Sequence, residues 1–226
     1  MKIIARIRTD FPEKFGVPRQ SGLVPGVKGK IIFEKEYRNP QAFRGLEGFS
    51  HIWVIWEFSQ AIKEEWSPMV KPPRLGGNKR MGVFATRSPF RPNPIGLSSL
   101  KLESIEMDKK YGPVLVVSGV DMVDNTPIYD IKPYLTYADC HVDATDGFAG
   151  EVREHELKVE FPKELLENIS PEYHENLIEI LKQDPRPGYV EDGREFGVSF
   201  AKYNIRFVVE GNVLRVVDAY RLESFI

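Results

Sequence analysis

His51-Ile-Trp-Val-Ile-Trp-Glu-Phe58 is the stretch on which the fold class turns. Ile52, Val54, Trp56 and Phe58 make one wholly apolar face, and His51, Trp53, Ile55 and Glu57 alternate with them on a mixed one. A period of two is that of a strand, and apolar side chains on both faces predict a strand buried on both sides. Upstream, Ile3, Ala5 and Ile7 alternate with Ile4, Arg6 and Arg8, while Ile31 and Phe33 run into the charged end Glu34 to Glu36. Downstream, Met81 to Arg87, Ser98 to Met107 and Pro113 to Val123 read as further strands, each bounded by Gly, Pro or Asn. Roughly six short strands with little helical periodicity predict a mainly β protein whose N-terminal domain is an antiparallel β-barrel, not a set of βαβ units.

After Asp139 the character changes. Ala144 to Gly150 is a small-residue linker, and Leu157, Val159 and Phe161 alternate with Lys158 and Glu160 as a strand. Ser170 followed by Pro171 suits an N-cap and first helical position, with Leu177, Ile178 and Leu181 as the buried stripe before Asp184 and Pro185. Val198 to Val209 and Val213 to Tyr220 predict two long strands joined through Glu210, Gly211 and Asn212. The expected division is a β-barrel domain over 1–142 and a small α+β domain over 143–226.

The 226 residues are 42% hydrophobic and 28% charged, which excludes disordered and low-complexity classes. The net charge of −2 conceals an asymmetry: the part up to Val142 carries 21 Lys/Arg against 15 Asp/Glu, and the remainder 10 against 18. Trp66 to Leu102 holds seven Lys/Arg and no acid, so a polyanion is a candidate partner, as is a loop neutralised from elsewhere in the fold. No long apolar run or signal-peptide pattern occurs, which points to the cytoplasm. One cysteine, Cys140, and four histidines form no CxxC or HExxH spacing, so neither a disulfide framework nor a metal site is expected.

The most unusual string is Thr86 to Ser98, TRSPFRPNPIGLS. Its prolines cannot lie inside a sheet and hold their neighbours extended, so the loop is stiff and aims Arg87 and Arg91 in defined directions. Alternatively, these arginines cap the loop's own carbonyls. Gly96 marks a turn or a close backbone approach. Lys71 to Arg80 is a basic loop with a flexible tip at Gly76, Gly77 and Asn78, suited to a phosphate backbone and equally to an unbound surface loop. In VPRQSG, Val17 to Gly22, Arg19 can grip a carboxylate and Gln20 can read an adenine edge, or the strip is simply a turn. In DNTPIYDIKPY, Asp124 to Tyr134, Asp130 and Lys132 share a face, either as a surface pair or as a polar cluster at bound substrate. A second Pro-basic string, Gln183 to Tyr189, either extends the basic surface or only ends a helix. His51 reads as a rim histidine. Fingerprints of a Rossmann site, a P-loop and a nucleophile elbow are all absent.

Together PRQ at Pro18 to Gln20, RGLEGFSHIW at Arg44 to Trp53, the string Lys71 to Ser98 and DNTPIYDIKPY resemble the TsaA-like family, and QDPRPGY resembles the C-terminal extension of its longer members. One departure is Asn125, where the family commonly has glycine; asparagine also tolerates the left-handed turn. The resemblance implies an S-adenosylmethionine-dependent methyltransferase acting on N6 of a threonylcarbamoyl-modified adenosine beside the anticodon of threonine tRNA. It implies cofactor contacts at Pro18, Arg19, Gln20, Ser59, Gln60, Arg87, Leu97, Ile128, Tyr129, Asp130 and Ile131, and a homodimer with the site near the subunit boundary. Asp130 is then the candidate catalytic acceptor. Arg74, Lys79, Arg80, Arg91 and Lys132 are the candidates to hold RNA. The alternatives are a non-catalytic RNA-binding barrel and a methyltransferase of the same fold with another substrate.

Overall fold

The structure, a computed structural model, describes residues 1–72, 79–152, 156–186, 190 and 192–223. Six strands close into an antiparallel barrel: β1 (Ala5–Thr9), β2 (Lys28–Phe33), β3 (His51–Glu57), β6 (Ile95–Asp108), β7 (Gly112–Ser118) and β8 (Pro127–Pro133). Their order around the barrel is β1-β2-β7-β6-β3-β8, with β8 closing onto β1 through Ala5 opposite Ile128. Closure leaves no edge strand in the barrel among the described residues. A two-stranded ribbon, β4 (Met69–Val70) with β5 (Met81–Gly82), stands between β3 and β6.

Inside the barrel Ile7, Ile31, Ile52, Val54, Leu100, Leu115, Val117 and Ile128 are fully buried. β3 is one-sided, contrary to the expectation of burial on both faces: Ile52, Val54 and Trp56 point inward, while His51, Trp53, Ile55 and Glu57 stay half-exposed on the barrel's outer surface. The strand expected over Met81 to Arg87 is also corrected. After the two residues of β5 the chain turns through a 3-10 segment at Val83–Ala85, and the sixth barrel strand is β8, inside the DNTPIYDIKPY string. The turn before β8 is as expected, with Asn125 at φ 63°.

The C-terminal part is a mixed four-stranded sheet, β10 (Glu195–Phe200), β11 (Tyr203–Glu210), β12 (Val213–Arg221) and β9 (Lys158–Glu160), with β9 parallel to β12. Helix α2 (Lys163–Leu166) packs against β12, and α3 (His174–Lys182) buries Leu177, Ile180 and Leu181; α1 (Thr136–Asp139) follows the barrel. The strand expected over Val198 to Val209 is two, because Ala201 takes φ 51° and turns the chain, a position no glycine or asparagine marks. Ser170 caps nothing with its side chain; its hydroxyl lies 2.8 Å from the Tyr203 hydroxyl.

One apolar core runs from the barrel into this second sheet. The segment after β1 makes the join: Phe11 packs on Phe200 (ring centroids 5.2 Å apart), Phe15 stacks on Phe196, and Asp10 accepts from the Ala201 amide at 2.6 Å. Gly16 sits where a Cβ would lie 2.8 Å from Val198, so this approach needs glycine.

Candidate functional site

Two proline-stiffened strings meet at one rim of the barrel. Arg87 donates from Nη1 to Oε1 of Gln20. The loop that carries Arg87 is fastened by its own polar groups: Ser88 N–H donates to Thr86 Oγ1, Phe90 N–H to Ser88 Oγ, and Phe58 N–H to the Pro94 carbonyl at 2.8 Å. Arg91 donates to the Thr86 carbonyl at 3.0 Å, so this arginine caps its own loop. Pro18 is buried, Gln20 half-buried and Arg87 exposed. Arg19 turns the other way and donates from Nη2 to the carbonyls of Asp184 (3.0 Å) and Arg186 (2.8 Å).

Beneath this rim lies a relay that the motif reading missed. Trp56 Nε1–H donates to Ser98 Oγ at 2.9 Å, and the Ser98 hydroxyl donates to Asp121 Oδ1 at 2.7 Å. Asp121 also accepts from the backbone N–H of Ser21, beside Gln20, and feels the charge of Arg87. Burial pushes its carboxyl up to about 6 against the pull of these partners. The signal in the sequence was a carboxylate inside the apolar run Pro113 to Val123. Gly96 admits the indole: a Cβ there would lie 2.2 Å from the Trp56 ring.

On the outer face Leu97, Ile55 and Asp130 form one cross-strand row over β6, β3 and β8. Leu97 is 56% exposed. Asp130 Oδ2 lies 3.2 Å from Lys132 Nζ, and Oδ1 accepts the Ile131 N–H at 2.9 Å. A register shift between Ile55 and Trp56 leaves Tyr129 free to donate to Glu57 Oε1 at 2.5 Å; burial, with that carboxylate, pushes the phenol up to about 12. Ile128 points into the core, and Ile131 packs against it. Ser59 and Gln60 are exposed just after β3, where the Gln60 carbonyl accepts from Lys14.

Among the RNA candidates, Lys79, Arg80 and Lys132 are exposed; Arg74 and the loop tip Gly76 to Asn78 lie outside the described residues. His51 is half-exposed with Nδ1 2.9 Å from Ser50 Oγ, at the outer edge of β3. Among the described residues no three His, Cys, Asp or Glu side chains gather as a metal centre requires, and no helix is long and apolar enough to cross a membrane.

Residues 6–140 match the family model described as the tRNA-methyltransferase O N-terminal domain, and residues 154–222 match the TrmO C-terminal domain. A tRNA (adenine(37)-N6)-methyltransferase of Escherichia coli (strain K12) is 43% identical over 225 residues, covering 96% of this chain and 92% of that protein. A Pseudomonas aeruginosa protein named "Putative S-adenosylmethionine-dependent methyltransferase RcsF" is 37% identical over 225 residues, 95% of each chain. A crystal structure of TrmO from Pseudomonas aeruginosa aligns with a TM-score of 0.77 at 33% identity, covering 97% of this chain and 95% of that one. The likeness thus extends over the barrel, the rim strings and the second sheet alike, and this chain belongs to the TrmO family.

Proposed function

We propose that the chain is an enzyme that transfers a methyl group from S-adenosylmethionine to N6 of adenosine 37 of a tRNA, the acceptor being the threonylcarbamoyl-modified adenosine of threonine tRNA. The observation that carries the reading is the closure of Gln20 on Arg87 at a barrel rim in a chain of this family. The donor set suits the cofactor. An amide for an adenine edge, a guanidinium for a carboxylate, and the exposed Leu97 beside Ile55 as an apolar surface are the groups a charged nucleoside thioether derivative needs.

The sulfonium supplies an already activated methyl, so the protein's work is alignment and exclusion of water. Pro18, Gln20, Ser59, Gln60, Arg87, Leu97, Ile128, Tyr129 and Ile131 are assigned to holding and orienting the donor; Arg19, a donor contact by the resemblance, is assigned instead to fixing the strip that carries Gln20, because its guanidinium donates to the Asp184 and Arg186 carbonyls. Asp130 is assigned to accept the proton from N6, and Lys132 to hold RNA beside it. Lys79, Arg80 and Arg74 are assigned to phosphates while the base leaves the anticodon-loop stack, and Arg91, whose Nη1 caps its own loop, is assigned to join them through the rest of its guanidinium.

The barrel over 1–142 is read as the catalytic domain and 143–226 as its C-terminal companion. The reading includes a cytoplasmic homodimer. Supporting a second copy are exposed apolar side chains: Trp66 (52% exposed) and Phe84 (75%) have ring centroids 6.2 Å apart, with Ile62 and Met69 also exposed.

Methyl incorporation into threonine tRNA with and without its threonylcarbamoyl group, alongside calorimetry with S-adenosylmethionine, tests the function. Binding heat and incorporation only into the modified tRNA are expected. Incorporation elsewhere points to another substrate, and no heat at all leaves a non-catalytic RNA-binding barrel.

A further inference from the structure

Arg186 sits in the C-terminal part, far from the rim in sequence, yet it organises the contact on which the rim rests. Asp184 takes φ 47° and is buried, and its carboxylate is gripped by the Arg186 fork, with Oδ1 accepting from Nε at 3.0 Å and Oδ2 from Nη2 at 3.2 Å. Oδ1 also accepts the Arg186 backbone N–H at 3.2 Å, closing a small ring. From its other arm Arg186 donates to Asp192 Oδ1 at 3.2 Å, and Asp192 Oδ2 accepts the amide of Gly211 in the β11–β12 turn at 2.8 Å. Those bonds hold an asparagine-free left-handed bend whose two carbonyls, of residues 184 and 186, point at Arg19. The next residue, Gln20, meets Arg87, and the Ser21 amide meets Asp121. A path of hydrogen bonds joined by short stretches of backbone therefore runs from the far hairpin of the second sheet to the barrel rim. The expectation that the string Gln183 to Tyr189 extends a basic surface fails for Arg186, whose charge is buried and doubly paired; Pro187, Gly188 and Tyr189 lie outside the described residues.

We propose that Arg186 is a positioning residue for the Pro18–Gln20 strip, acting through Arg19, and that ordering this strip is a function of the C-terminal part. This rests on the reading that the strip holds the methyl donor. A guanidinium is required because it fills both carboxylate oxygens at once and still reaches Asp192; an ammonium supplies charge without the fork. Lysine at 186 therefore keeps the buried pair charged while releasing the bend, and alanine at 19 cuts the same path from the barrel side, where a folding defect is less of a hazard because that residue is only half-buried.

The test uses the full-length chain with Arg186→Lys, Arg19→Ala and the double variant. In calorimetry with S-adenosylmethionine, each single variant is expected to raise the dissociation constant about tenfold and the double no further, as sites on one path are non-additive. The kcat for tRNA methylation at saturating donor should stay within about twofold of wild type. Amide exchange at Ser21 should quicken about tenfold in both single variants. Wild-type donor affinity in either single variant, multiplicative effects in the double, or unchanged Ser21 exchange would overturn the proposal. If the wild-type chain gives no binding heat, the donor reading falls, and the exchange measurement still decides the brace alone.

Discussion

Arg87 and Gln20 stand 67 residues apart in the chain, and the guanidinium of one donates to the side-chain oxygen of the other at the barrel rim. Arg87 is exposed and its loop is held by Thr86, Ser88 and the prolines, so its direction is set by backbone rather than by burial. Arg87→Lys should therefore change stability by less than about 0.5 kcal/mol, as exposed substitutions usually do. Loss of the planar fork should weaken S-adenosylmethionine binding about tenfold. Calorimetry beside a urea titration checks both; a variant that binds like wild type removes Arg87 from the cofactor contacts.

Asp121 makes a pH prediction with a definite sign. Its carboxyl is raised by burial to about 6 from 3.8, so between those values the folded chain holds a proton that the unfolded chain has released. Stability from this group is therefore greatest in acid and is lost as pH rises from about 4 to about 6, by up to about 3 kcal/mol at about 1.4 kcal/mol per unit. Asp10 is also raised by burial, with Asp124 adding to it, so the wild-type curve alone does not isolate the effect. Subtracting the urea-unfolding curve of Asp121→Asn cancels Asp10, and the difference should fall across pH 4 to 6 and then level. A flat difference would show that Asp121 titrates as an ordinary surface carboxylate.

What the sequence made legible follows from which forces act locally. The alternation in Ile52, Val54 and Trp56 reports a strand directly, since the period of the pleat is written in adjacent residues. Asn125 could be placed in a left-handed turn for the same reason. Ala201 could not, because its φ of 51° is imposed by the pairing of β10 with β11 and the Asp10 contact, not by its own side chain. Trp53 and Ile55 suggested a buried outer face because apolar type is not the same as burial, and half of that face remains open to solvent. The rim strings stood out through their prolines. Asp121, Ser98 and Asp184 did not, because a polar residue matters there through partners brought by the fold.

Gly96 is the tightest point beneath the rim. An alanine Cβ would lie 2.2 Å from the Trp56 ring, which is inside any real contact, and Trp56 is fixed from the other side by Ser98. Gly96→Ala should cost at least about 2 to 3 kcal/mol, at the upper end for overpacking. The indole would also leave Ser98, so the donor of Asp121 changes and near-ultraviolet dichroism should shift. Trp56→Phe in the alanine background relieves part of the clash; the double variant should recover stability. A Gly96→Ala chain as stable as wild type would mean the indole has room to move.

Asp130 and Lys132 separate stability from turnover. The pair is 3.2 Å apart but about half exposed on each side, so solvent screens it and its removal should cost less than about 0.5 kcal/mol. Asp130→Asn keeps the size of the side chain and an oxygen for the Ile131 N–H, while removing the capacity to take a proton. If Asp130 accepts the N6 proton, turnover should drop about 100-fold, the lower bound usual for a general base, with S-adenosylmethionine affinity within about twofold of wild type. Lys132→Ala should weaken tRNA binding and reduce its salt dependence without that loss of turnover. Single-turnover methyl transfer with threonylcarbamoylated threonine tRNA measures the chemical step directly. Equal rates for Asp130→Asn and wild type would take Asp130 out of proton transfer, whatever its place beside the donor.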